Sequence, residues 1–160
     1  MNEAFRHLHM QPELACEFLA TFSRAEYALK ATIQFALGDA DGVKAGWDGF
    51  AEAIDKSFCA VEDEEFKGAV NYLLSRPPRK QVLENGAVRF ADQVIDKKQP
   101  VAQQVLLMVR TVRNNLFHGG KHLPLGEHEP GRNERLVSAS IAILRYSTRM
   151  HDVVRHHYEN

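Results

Sequence analysis

The chain has 160 residues, 20 Lys and Arg against 21 Asp and Glu, a formal net charge of -1, and 44% hydrophobic residues. Such a length fits one domain with a real apolar core and excludes wholesale disorder. No apolar run approaches the roughly 18–20 residues needed to cross a bilayer, and residues 1–11 lack the apolar stretch of a secretory signal, so a soluble, cytoplasmic protein is expected.

The first long segment reads as a helix. Leu14, Phe18, Phe22, Ala25, Leu29 and Ile33 recur at helical steps along one face. Pro12 suits the first turn and Gly38 the stop, with Glu26 and Lys30 paired four apart on the side. Residues 38–46 read as a loop. Its Asp39-Ala40-Asp41-Gly42 lacks the remaining ligand positions of a calcium loop. A second helix is expected from Trp47, with Phe50, Ile54 and Phe58 aligned. A third carries Phe66, Val70, Leu73 and Leu74 and stops at Pro77-Pro78.

The period then changes. Asn85-Gly86 between two short apolar-rich runs predicts a small β-hairpin near residues 82–90. After Pro100, Val101, Val105, Met108, Val112 and Leu116 mark a strongly apolar helix ending at Gly119-Gly120, where glycine can take the left-handed cap conformation. The last helix is expected after Asn133 as N-cap, with Leu136, Ala139, Ile143, Tyr146, Met150 and Val153 forming a narrow seam. The fold class is therefore all-α, an antiparallel four- to five-helix bundle with one hairpin insertion.

Charge is uneven along the chain. Residues 97–126 hold no acid but carry Lys97, Lys98, Arg110, Arg113 and Lys121, whereas residues 39–65 hold nine acids against Lys44 and Lys56. A polyanion would meet a local basic region, unless the two runs are simply two solvated faces. Cys16 and Cys59, few and set among apolar residues, read as buried thiols of a reducing compartment. Arg76, Arg79 and Lys80 read as solvated loop charges, with RNA contact as the alternative, and His151, His156 and His157 beside Arg155 as a solvated terminus, with a phosphate-contacting or metal role as the alternative.

One stretch could carry chemistry: Val112-Arg113-Asn114-Asn115-Leu116-Phe117-His118-Gly119-Gly120, at the end of the most apolar helix. Five residues of helix rise about 7.5 Å, so a long arginine side chain can reach toward His118. An imidazole that moves a proton near neutral pH, beside a guanidinium that holds phosphate oxygens, suits RNA phosphodiester cleavage. The same residue types also serve as helix C-caps that complement the macrodipole. His118 and His122 are four apart, but Gly119-Gly120 between them argues against a zinc pair, so no metal and no cofactor is expected.

Arg113-Asn114-x-x-x-His118 resembles the signature of the HEPN superfamily (higher eukaryotes and prokaryotes nucleotide-binding domains): an Arg, commonly a polar residue after it, and a His four to six residues on. Residues 22–30, Phe-Ser-Arg-Ala-Glu-Tyr-Ala-Leu-Lys, also resemble the first helix of bacterial members. The resemblance implies a homodimer whose Arg–His pairs meet in one cleft. In many members it implies metal-independent endoribonuclease activity on single-stranded or looped RNA, leaving a 2′,3′-cyclic phosphate. It also implies a prokaryotic defence or toxin–antitoxin setting, with an antitoxin or nucleotidyltransferase as partner. Some relatives carry a tyrosine two residues after the His that such a transferase modifies; Gly120 stands there in this chain.

On that basis Arg113 would hold the scissile phosphate, His118 would shuttle protons and Asn114 would orient the pair or contact phosphate. Lys121 and His122 would contact the RNA backbone. Leu106, Leu107, Phe117 and Val154, outside the main apolar stripes, are candidates for the dimer contact. A non-catalytic member binding RNA or a protein partner, and a purely structural dimerisation module, are the alternatives.

Overall fold

A computed structural model describes residues 3–5, 8–118 and 129–160. They form helices α1 (Pro12–Ala31), α2 (Trp47–Cys59), α3 (Glu64–Ser75), α4 (Val101–Phe117), α5 (Arg132–Ser147) and α6 (Asp152–Glu159). Two antiparallel hairpins interrupt them, β1 (Ala36–Asp39) with β2 (Gly42–Ala45), and β3 (Lys80–Glu84) with β4 (Ala87–Ala91). The chain is thus mainly helical, with one more hairpin and one more helix than its periodicity announces.

Helix α1 buries Phe18, Phe22, Ala25 and Leu29 as expected, but it stops earlier. Thr32 leaves the helix with an extended backbone while its hydroxyl donates to Ala28 O over 2.8 Å. That turn takes Ile33 out of helical phase, so it is 94% exposed and Phe35 is buried instead. The expected loop at 38–46 is mostly the first hairpin. Gly38 has a φ of +130°, and a Cβ there would sit 2.0 Å from Gly42 O. The Asp-Ala-Asp-Gly run is its turn, closed by Asp39 Oδ1 accepting from Asp41 N over 2.9 Å. The second hairpin follows the sequence, with Leu83 opposite Val88 and positive φ at both Asn85 and Gly86, the mark of a type I′ turn.

Helices α2 and α4 run antiparallel and hold each other through charges. The Asp55 carboxylate of α2 accepts from Ala102 N, over 2.9 Å, at the start of α4, where Pro100 offers no capping side chain. About two turns earlier on α2, Asp48 pairs with Arg110 over 3.3 Å. The acidic and acid-free runs of the sequence therefore meet along this helix pair.

Helix α5 is buried nearly all round, with Leu136, Val137, Ser140, Ile143, Leu144 and Ser147 each at most 3% exposed. It is the central helix, packed on α1 and α3, rather than a helix with one narrow seam. It starts at Arg132 behind Gly131 in the left-handed region (φ +75°), so Asn133 lies inside the first turn and is not the cap. It also ends sooner than expected. A 3-10 turn (Thr148–Met150) intervenes and α6 begins afresh, capped by His151 Nδ1 accepting from Val154 N. Val153 consequently leaves the seam and is 48% exposed.

Both cysteines are free and exposed, not buried. Cys16 falls between the apolar positions of α1, and Cys59 ends α2 on its solvent side, its thiol 3.8 Å from Asp55 Oδ1. Among the described residues no helix is long and apolar enough to cross a membrane.

Asp63 caps α3, accepting from Phe66 N over 3.1 Å and from the Tyr146 hydroxyl of α5. These bonds hold its carboxyl below the usual range, chiefly through the Phe66 N–H. A lowered folded pKa stabilises the fold fully above about pH 4, and the contribution disappears as pH falls through the lowered value. Asp63→Asn is expected to melt below the wild type near pH 7 and to converge with it once the pH has fallen below the ordinary aspartate range and Asp63 is protonated. Melting curves across that range check this. A gap of constant size would show that the charge contributes nothing.

Candidate functional site

The last turn of α4 carries Arg113, Asn114 and Asn115, and His118 is its C-cap. Two of these residues face inward. Asn115 is 6% exposed and donates through Nδ2 to Arg79 O over 2.8 Å, so it ties α4 to the loop after α3. Arg113 is half-buried. Its guanidinium lies over the rings of Phe117, 4.8 Å from the centroid, and Phe22 of α1, 5.5 Å away. Its Nη1 donates to Asn114 Oδ1 over 3.0 Å, and its buried Nε has no hydrogen-bond partner among the described residues. Two rings and an amide thus fix the arginine as a cation–π clamp.

Asn114 and His118 face solvent. His118 caps the helix through its backbone, its N–H donating to Asn114 O over 2.9 Å, which leaves the imidazole free for other work. The structure brings Arg113 and Asn114 together directly. It places His118 at the same helix end, but among the described residues no hydrogen bond joins its ring to the guanidinium. Lys121, His122 and the Gly119-Gly120 stop lie outside the described residues.

The sequence offers Phe22 for the core and Phe117 for a dimer contact, and does not announce that both rings hold Arg113. Phe117 is four residues after Arg113, the spacing at which helix side chains meet, so it is legible in principle. Phe22 is not, because it arrives from a helix some ninety residues earlier and its stripe points to the core. Phe22 does both. Its inner side meets Trp47, centroids 5.3 Å apart, while Arg113 lies on its ring.

Two of the four apolar residues offered for a dimer contact are internal. Leu106 is 1% and Val154 0% exposed, because α4 and α6 turn those faces toward the protein's own core. Phe117 is exposed and Leu107 half-buried. The basic segment is likewise interrupted, since Arg110 is paired with Asp48 and Arg113 is clamped, leaving Lys97 and Lys98 exposed ahead of α4.

In the loop after α3, Arg76 and Lys80 are exposed and Arg79 half-buried, and two of the three charges are paired at the surface. Arg79 pairs with Asp92 over 3.4 Å and Arg76 bonds to Glu129. Among the described residues, no three His, Cys, Asp or Glu side chains group as metal ligands. Comparison with protein-family models, with curated proteins and with solved structures finds no match to this chain.

Proposed function

We propose that the C-terminal end of α4 is the reacting surface of a metal-independent endoribonuclease, built on a HEPN-like helical bundle and working as a homodimer in a prokaryotic defence or toxin–antitoxin setting. The observation that carries this reading is the division of labour in one helix turn. Arg113 is clamped by Phe22 and Phe117, while Asn114 and His118 are left open to solvent. A held cation is what a phosphate needs as its charge builds, and an imidazole not engaged in capping can take or give a proton.

In the proposed reaction the 2′-hydroxyl attacks the adjacent phosphorus and loses its proton to an imidazole. The bond to the 5′-oxygen breaks, and that oxygen leaves with a proton. A 2′,3′-cyclic phosphate and a 5′-hydroxyl remain. One chain offers one His118, yet the step needs both a base and an acid. A twofold axis at the end of α4 supplies the second copy, and with Leu106 and Val154 internal, Phe117 and Leu107 are the apolar residues left to form the contact. Lys121 and His122, next in sequence, are assigned contacts to the RNA backbone.

Cleavage of total RNA is expected to survive EDTA and to leave cyclic-phosphate ends, read by end-labelling before and after acid treatment. Strict dependence on Mg²⁺ with 5′-phosphate products would sink the mechanism. The second reading, a non-catalytic module that binds RNA or a protein partner, draws on the Arg113 guanidinium engaging Asn114 and two rings rather than His118. RNA binding without any cleavage in that assay would favour it.

A further inference from the structure

Outside the acid-free run, three arginines gather on one carboxylate. Glu129 faces three arginines. Arg76 comes from the end of α3, and Arg132 and Arg135 come from the first turn of α5. Arg76 hydrogen-bonds to Glu129, Arg135 Nη2 is 3.1 Å from Oε1, and Arg132 Nη1 is 3.7 Å from Oε2. Among the described residues, one carboxylate against three guanidiniums leaves two positive charges of the cluster without a counterion.

Each arginine is also placed by its surroundings. Arg132 donates to Pro77 O over 2.9 Å, and Arg135 lies over the Tyr72 ring, 5.8 Å from its centroid. Two of them occupy the N-terminal turn of a 16-residue helix, where the macrodipole disfavours cations and favours an anion. The cluster is open: Arg76 and Arg135 are about half exposed and Glu129 about a third. It adjoins the motif, because the Arg76–Arg79 loop that carries it is bonded to Asn115, next to Asn114.

We infer that Arg76, Arg132 and Arg135 form a phosphate subsite for the RNA backbone, which Glu129 fills in the free protein and vacates when a phosphodiester takes its place. The inference rests on the RNA reading of the α4 end and extends it: the cluster grips a phosphate flanking the one that reacts. Guanidiniums recognise carboxylate and phosphodiester oxygens with the same planar fork. The bound Glu129 therefore acts as an internal competitor, and its removal should help binding.

Fluorescence anisotropy of a labelled 2′-O-methyl RNA, which cannot be cleaved by 2′-hydroxyl attack, tests this on the full chain. Glu129→Gln is expected to bind roughly three- to tenfold tighter at low salt. Arg135→Gln should bind more weakly by a similar factor, with a salt dependence reduced by about one phosphate contact. Glu52→Gln, an exposed charge of the acidic run, changes net charge equally and should bind as the wild type does.

Tightening by Glu52→Gln equal to that of Glu129→Gln would overturn the subsite in favour of bulk charge. Weaker binding by Glu129→Gln, or no change in either cluster variant, would make the cluster a structural ion pair and leave the RNA reading standing. Failure of every form to bind RNA at low salt would remove both.

Discussion

His118→Ala is expected to lower RNA cleavage by roughly 10²–10⁴-fold, the usual scale for losing a general acid–base group, without loss of fold. The two halves of this expectation have separate sources. The imidazole faces solvent, so its removal opens no cavity. The bond that finishes α4 runs from the His118 backbone N–H to Asn114 O, and alanine keeps that bond. Cleavage assays alongside thermal melts read both quantities. Cleavage at the wild-type rate would remove His118 from the mechanism, and a large fall in melting temperature would return it to a structural role. Because the proposed site is shared across a dimer axis, mixing Arg113→Ala and His118→Ala chains should restore part of the activity if one copy of each residue is enough.

Phe66→Ala is expected to cost about 3–5 kcal/mol of stability, the range for deleting a buried phenyl ring. Phe66 is 2% exposed and joins three helices. From α3 its ring meets Phe58 of α2 edge-on, centroids 4.8 Å apart, and Tyr146 of α5 at 5.1 Å. Its backbone N–H is also the one that Asp63 caps, so the cavity would open at the base of α3. At about 2–4 °C per kcal/mol for a chain of this size, the melting temperature should fall by about 6–20 °C. A shift within about 2 °C would mean that the neighbouring rings close the cavity.

The contrast between Phe66 and Phe22 shows how far periodicity reaches. Both stand on apolar stripes visible at helical spacing, and both are buried. Only three-dimensional packing reveals that one face of Phe22 also supports Arg113. The motif itself was legible because it is local: Arg113, Asn114 and His118 fall within six residues, and helix geometry alone brings them to one end. Nothing local announces which of the three is clamped and which two are open.

Hairpins divide in the same way. Asn85-Gly86 demands positive φ at two positions, and its flanking runs are apolar enough to read as strands, so the second hairpin could be placed from composition. The first is built from Ala, Gly, Leu, Asp, Val and Lys in four-residue strands. Short glycine-containing runs carry little strand signal of their own. Its turn depends on the close approach of Gly38 to Gly42 O, a contact that only the folded chain makes.

What the sequence determined by itself is what short-range physics controls. Apolar spacing sets α1 to α4 close to where they are found, and proline and the turn dipeptide set the breaks after α3 and inside the second hairpin. Tertiary structure decided the rest, because the deciding contacts join distant residues. Packing between α1 and α3 made α5 the central helix and buried it nearly all round. Long-range pairing set Asp48 against Arg110 and Asp55 on the start of α4, so the charge contrast along the chain cancels where its two runs meet. The same long-range pairing gathered Arg76, Arg132 and Arg135 around Glu129, a concentration of charge absent from any single stretch of sequence. Charge acts through distance in space, and only the fold converts positions along a chain into such distances.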